Sequence, residues 1–452
     1  MIESMKVSQW IAPQGFWRQG RLFLILSLLG LTGTAQAQTT PPKPPPQSAP
    51  RPTPARDFLI LRNQTELWRG NYPFRNVGAN LPDLFERFLH NDDAAAVAML
   101  SHAHDAGVRL ARCFGATWGP DDFGLFETDR ARWLSAYDRM LAAADNAGIG
   151  VVPSLLFNIR MLPEYVRRKT GKNEDLVDYL TPGSASNQLA IGYVTAIVNR
   201  YKNDPRILFW EIGNEYNLEA DLSAQWKERP RNQIPTSDQI RAFLVQIATL
   251  IKALDKKHLV TTGNADMRPG AWHLRQAMLA HRNDPDPANY PMDWTQDTFD
   301  EYTQMLDFFN PAPFDLISVH QYPPGQEKVR WLNEDDDHAL RLPWTRLAAE
   351  RLPYTARSEH PPGKPLFIGE FGQPLPDHPT NADAAWLQDY LQRLRQGTAP
   401  IGAIWAWEFG EKETNGTSYS LSKTRTPEVV DLLSNINAVL LRNSLSTRYN
   451  GR

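Results

Sequence analysis

The sequence predicts a single α/β domain, a (β/α)8 TIM barrel with long loops after strands five and six. Three observations carry this. Eight short apolar runs recur along the chain, helical segments lie between them, and a glutamate stands where two of the runs end. Strands alternating with helices of this length build parallel βαβ units, and eight parallel strands can close on themselves. A doubly wound open sheet is the alternative, but no G-x-G-x-x-G follows the first strand.

The strands are expected at residues 74–79, 108–114, 150–157, 207–212, 258–263, 314–320, 365–370 and 401–407. Helices fill the gaps. Ile240, Phe243, Leu244, Ile247, Leu250, Ile251 and Leu254 recur at three- and four-residue spacing, one apolar helix face, and Thr236 with Gln239 reads as a capping box ahead of it. Leu189, Val194, Ile197, Val198 and Tyr201 repeat the pattern before the fourth strand, and Trp133, Tyr137, Met140 and Leu141 before the third. The connections 264–312 and 321–364 are unusually long, and loops of that length carry function or structure of their own.

Composition narrows the partners. A formal charge of −3 over 452 residues gives no electrostatic reason to expect nucleic acid or an anionic membrane. Fourteen Trp are many, and such rings either fill a core or stack on the apolar face of a sugar. Composition alone does not choose between these.

Residues 1–37 read as a signal peptide: Arg18 and Arg21 precede an apolar run at 22–31, and Ala35-Gln36-Ala37 is a small-residue cleavage pattern. The run is short for a membrane span of ~20 residues, so an uncleaved anchor is the lesser alternative. The chain is expected to be secreted or periplasmic. Residues 38–56, rich in proline, cannot bury apolar area and read as an extended linker. The catalytic domain then covers 57–452, as a monomer. Cys113 is the only cysteine, so no intramolecular disulfide forms, and its apolar neighbours make it an inert buried thiol.

The chemistry lies at two strand ends. The fourth strand runs through Trp210-Glu211-Ile212-Gly213-Asn214-Glu215 and the seventh through Ile368-Gly369-Glu370-Phe371-Gly372. Active sites of (β/α)8 barrels sit at the carboxyl ends of the strands, so Glu215 and Glu370 can face each other across one opening. Cleavage of a glycosidic bond needs such a pair, one carboxyl to protonate the leaving oxygen and one to meet the oxocarbenium-like carbon.

Both motifs, in that order and on those strands, resemble the signatures of the clan A glycoside hydrolases, most closely family 5, which includes cellulases and β-mannanases. The resemblance covers about residues 68–409. It implies a retaining hydrolase of β-linked polysaccharide, β-1,4-glucan or β-mannan, with Glu215 as acid/base and Glu370 as nucleophile. Asn214 would bond the sugar 2-hydroxyl, and Arg112 would keep the nucleophile ionised, while Arg109 points away. Tyr322 would donate to Glu370, and His320 would orient the catalytic pair or the substrate. Trp405 or Trp407 would form the platform under the sugar at the cleavage point; they share strand parity, and Trp405 is favoured. Asn158, at the end of the third strand, is a looser candidate for substrate contact.

No cofactor and no metal is expected. His102 and His104 mimic an H-x-H ligand pair, but two residues apart on a helix they point away from each other. Asp335-Asp336-Asp337 lacks the alternation of a calcium loop, and the glycosylation triplets at Asn63 and Asn415 are weak. The partner is a polysaccharide or oligosaccharide substrate. A non-catalytic glycan-binding barrel is the alternative reading. Five intact site residues, Glu215, Glu370, Asn214, Arg112 and Tyr322, argue against it.

Overall fold

Eight of the apolar runs become the eight strands of a parallel barrel. The computed structural model describes residues 57–63, 66–223, 233–283, 290–322, 364–397, 399–410 and 416–447, all within a compact unit spanning Arg56–Arg452. The signal and linker readings, the Asp335-Asp336-Asp337 run, Asn415 and nearly all of the 321–364 connection lie outside the described residues.

Leu59–Arg62 (β1), Glu66–Arg69 (β2) and Tyr72–Pro73 (β3) form an antiparallel meander ahead of the barrel, which the sequence reading did not foresee. The barrel strands are Asn76–Asn80 (β4), Leu110–Phe114 (β5), Gly150–Leu156 (β6), Phe209–Gly213 (β7), Leu259–Thr261 (β8), Ile317–Gln321 (β9), Leu366–Phe371 (β10) and Ile401–Ile404 (β11). Their order in the sheet is β8-β7-β6-β5-β4-β11-β10-β9, all pairs parallel. Where β8 meets β9, side chains and isolated bonds close the seam. The Asp315 N–H donates to the Val260 carbonyl at 2.9 Å, the Val260 N–H to the Asp315 carboxylate at 2.7 Å, and the Thr261 hydroxyl to the Leu316 carbonyl at 3.3 Å. The fold is a (β/α)8 barrel, as expected.

Period-two alternation divides each strand between two cores. Leu110, Val152, Phe209, Leu259, Leu316, Phe367 and Ile401 fill the barrel interior, and Leu59, Leu67 and Phe74 from the meander side join that same cluster. Ala111, Cys113, Val151, Trp210, Ile212, Val260, Val319 and Ile368 face the helices. Among the helices, Ser237–Leu254 buries Ile240, Phe243, Leu244, Ile247 and Ile251, and its Thr236–Gln239 capping box is present with both reciprocal bonds. Each such side chain removed from water contributes roughly 1.5–3 kcal/mol, so these faces hold the helices to the sheet. Cys113 is buried, and burial pushes its thiol up to about 12, which keeps it an unreactive thiol.

The connection after β8 carries two helices, Ala271–His281 and Phe299–Phe309. Among the described residues no helix is long and apolar enough to cross a membrane.

Candidate active site

Arg112 organises the carboxyl end of the barrel. It sits on the inward parity of β5 with no exposed side-chain surface, and its guanidinium bonds to four side chains. Its Nε and one terminal nitrogen reach Glu211 Oε1 at 2.8 and 2.7 Å. The other terminal nitrogen donates to Glu370 Oε1 at 2.7 Å and to Asn80 Oδ1 at 2.9 Å. Asn214 Oδ1 accepts from the nitrogen shared with Glu211 at 2.7 Å. Burial alone would lower the pKa of this guanidinium; the Glu211 and Glu370 carboxylates beside it hold it above its ordinary value.

Glu370 is aimed by an irregularity in β10. Phe367 faces the barrel interior and Ile368 the helices, so strict alternation would turn Glu370 outward. The register against β9 slips between Ile368 and Glu370, pairing Ile368 with Val319 and Glu370 with His320, and this bulge turns the carboxylate inward. Gly369 is the extra residue. A Cβ there would lie 2.7 Å from His320 Nε2, so the bulge and the histidine coexist only with glycine. Besides Arg112, Glu370 receives the Tyr322 hydroxyl on Oε2 at 2.7 Å. Both oxygens thus act as acceptors. Burial, then the Glu370 and Glu215 carboxylates, hold the Tyr322 hydroxyl well above its ordinary pKa, so it stays a donor.

Glu215 follows β7 in a left-handed conformation, φ 55° and ψ 28°, unusual for a residue with a Cβ. Such a conformation costs on the order of 1–3 kcal/mol and persists only where its surroundings enforce it. Here the Glu215 N–H donates to the Gly263 carbonyl at 2.8 Å. Gly263, at φ +78°, lets the end of β8 approach that closely, since a Cβ on it would fall 1.8 Å from the Gly213 carbonyl. His320 lies between the two glutamates, its Nδ1 3.0 Å from Glu215 Oε1 and 3.6 Å from Glu370 Oε2. One oxygen from each glutamate and a ring nitrogen of His320 all fall within 4.8 Å of one another. Glu215, Glu370, Arg112, Asn214, His320 and Tyr322 are therefore brought together at the carboxyl end of the barrel.

The two tryptophans separate. Strand β11 ends at Ile404, so parity no longer governs the residues beyond it, and the Trp405–Ala406 peptide is cis. Trp405 is half-buried, whereas Trp407 is fully buried in the core shared with the helices. The expectation that Trp407 binds substrate is thereby corrected: its ring has no face left to offer. Asn158 is also spent elsewhere, its amide donating to the Trp118 carbonyl at 2.9 Å and its carbonyl accepting from the Arg160 N–H at 3.0 Å. Arg109 stays away from the site, its guanidinium 5.4 Å from the Phe74 ring.

Two members of the site were missed. Glu211 shares the inward parity of Phe209 on an otherwise apolar strand, and a carboxylate inside a barrel demands a cation; that signal was legible. Asn80, at the end of β4, accepts from Arg112 while its amide nitrogen reaches the Gly369 and Ala403 carbonyls at 2.9 and 3.1 Å.

The His102–His104 pair stands exposed on the helix Asp93–Asp105, with His102 bonded to Glu408 at 2.8 Å. Among the described residues, two groupings of carboxylates with histidine have ligand atoms close enough for a cation. One is Glu215, His320 and Glu370, where the Arg112 cation already bonds Glu370. The other is His273, Asp297 and Glu301. There the Asp297 carboxylate accepts the Trp272 N–H at 2.9 Å, and Glu301 closes a capping box with Thr298, so both serve helix starts.

Comparison with known proteins gives the family and the fold. A family model described as "Cellulase (glycosyl hydrolase family 5)" matches residues 92–411. The chain is 23% identical over 372 residues to mannan endo-1,4-beta-mannosidase A of Podospora anserina, covering 75% of this chain and 82% of that one. It is 24% identical over 333 residues to mannan endo-1,4-beta-mannosidase 2 of Oryza sativa subsp. japonica, covering 67% and 65% respectively. A family 5 mannosidase from Rhizomucor miehei superposes with a TM-score of 0.60 at 16% identity, over 86% of this chain and 99% of that one, a likeness of fold. An endo-beta-1,4-mannanase from Thermotoga petrophila does so with a TM-score of 0.54 at 16% identity, over 81% and 77%. The chain belongs to glycosyl hydrolase family 5, and is a glycosidase that hydrolyses O-glycosyl bonds.

Proposed function

We propose that this protein is an endo-acting β-mannanase that works by double displacement with retention. The observation that carries the reading is the unequal pair of glutamates, one oxygen of each within 4.8 Å of the other, with Glu370 clamped by Arg112 and Tyr322 and Glu215 bonded to His320. Retaining enzymes hold their two carboxyls closer together than inverting ones, about 5–5.5 Å against about 6.5–9.5 Å, and carboxyls near enough to meet the same His320 nitrogen at 3.0 and 3.6 Å favour the closer arrangement.

In this reading Glu370 attacks the anomeric carbon while Glu215 gives its proton to the departing oxygen. Glu215 then takes a proton from the water that releases the sugar. Arg112 and Tyr322 hold Glu370 in place as its charge is consumed and restored. Asn214, its carbonyl fixed by Arg112, has its amide N–H left to bond the sugar 2-hydroxyl, and the half-buried Trp405 stacks beneath the ring. His320 orients Glu215. Mannan is favoured over glucan because the relatives above are named as mannan endo-1,4-beta-mannosidases. Residues 1–37 would export the chain and residues 38–56 would tether the barrel. A barrel that only binds glycan has no need of the buried Arg112 clamp, which leaves that alternative without support.

The test is a panel of soluble polysaccharides. Reducing ends should be released from β-1,4-mannan or galactomannan at a kcat/KM at least about tenfold above that on carboxymethylcellulose, the worth of one well-placed polar contact. Hydrolysis of the glucan alone would overturn the mannan reading, and release from neither would overturn the enzyme reading.

A further inference from the structure

Few large apolar side chains are exposed among the described residues: Ile60, Val97, Trp118 and Leu445. Ile60 lies on the meander, and Val97 and Leu445 lie on the helices Asp93–Asp105 and Pro427–Ser446. Of these, Trp118 stands on a loop at the carboxyl end of a barrel strand, four residues beyond β5 and 40% exposed. We propose that Trp118 is the stacking platform of a distal sugar-binding position on the β5–β6 rim, taking a pyranose ring of the same β-linked chain that is cleaved at Glu370. This rests on the glycosidase reading above.

The ring is continuous with the catalytic centre. Its centroid is 6.0 Å from that of Phe157 and 5.5 Å from that of Phe114, and the Arg112 guanidinium lies 5.2 Å from the Phe157 ring. Phe157 therefore bridges Trp118 to the cation that clamps Glu370. Phe114 and Phe157 are themselves buried, so they back the tryptophan without competing for substrate.

The loop is also held in place from both sides. The Trp118 N–H donates to Glu86 of the helix Leu84–Leu89, and the Trp118 carbonyl accepts from Asn158, which follows β6. The Thr117 hydroxyl bonds the Gly119 carbonyl at 2.9 Å, and the Gly115 N–H bonds the Ser154 carbonyl at 2.7 Å. A tryptophan left in water is normally driven under cover by the area it exposes. Here the bonds to its loop keep it at the mouth of the barrel. A rigid aromatic face loses little conformational entropy on binding, which suits it to a flat apolar sugar surface. The substrate contact expected of Asn158 thus passes to the residue it supports.

The test compares Trp118→Ala and Trp118→Phe in the full chain on an aryl β-mannoside and on mannohexaose. For Trp118→Ala, kcat/KM on the hexasaccharide should fall about tenfold, the worth of one aromatic contact, while the aryl mannoside, too short to reach the rim, is unaffected. Trp118→Phe should recover most of the loss, and melting temperatures should match the wild type. An unchanged hexasaccharide rate overturns the platform while leaving the glycosidase reading intact. Equal losses on both substrates, or a lowered melting temperature, assign Trp118 a structural role instead. A wild type that cleaves no β-glycan sinks the glycosidase reading, and the platform with it.

Discussion

Glu370→Gln should fold normally, bind oligosaccharide, and hydrolyse it with kcat reduced on the order of 10⁴-fold or more, the scale on which loss of a covalent nucleophile is felt. Gln can still accept from Arg112 or Tyr322 through its carbonyl, and Arg112 keeps its partner Glu211, so packing is preserved. What is lost is the negative oxygen that bonds to the anomeric carbon. The check pairs initial rates on mannan with a calorimetric titration of mannohexaose. Loss of both turnover and binding would point to misfolding. Turnover close to wild type would remove Glu370 from the chemistry.

The second large effect concerns Arg112. Arg112→Met leaves Glu211, with no exposed side-chain surface, and Glu370, nearly buried, without their cation. Breaking a buried pair by removing one partner costs about 3–5 kcal/mol, visible as a lower denaturant midpoint. Arg112→Lys separates charge from geometry. Lysine carries the cation, but its single nitrogen cannot serve Glu211, Asn80, Glu370 and Asn214 at once, as the guanidinium fork does. Stability should largely return while kcat stays down by roughly 10²-fold, because the nucleophile and Asn214 are no longer fixed. A Lys variant with wild-type kcat would show that charge alone suffices there.

Much of the fold was readable in the chain because parallel strands are buried on both faces. Such strands appear as continuous apolar runs, and a charged residue closing one is conspicuous. Glu215 and Glu370 are conspicuous for that reason, whereas Arg112 and His320 were reached only through the family resemblance. The failures share a cause, which is that period-two alternation is a local rule. It placed Trp405 and Trp407 on one face, but β11 stops at Ile404 and the chain then turns, so Trp405 is only half-buried while Trp407 enters the core. It would have turned Glu370 outward had the Gly369 bulge been taken as plain strand. Glu211 was visible in the same motif as Glu215 and needed only the question of where a buried carboxylate finds its cation. Trp118 carries no periodic signal, since its role rests on bonds from Glu86 and Asn158, which sequence separation hides. The β1–β3 meander was missed because its strands are two to four residues long, below what alternation can register.

The anomeric form of the product tests the paired-glutamate mechanism most directly. Proton NMR of mannohexaose hydrolysis, recorded before mutarotation, should show the β-anomer of the new reducing end appearing first and the α-anomer only later. The α-anomer appearing first would mean a single displacement by water, and Glu370 could not then be the nucleophile facing Glu215.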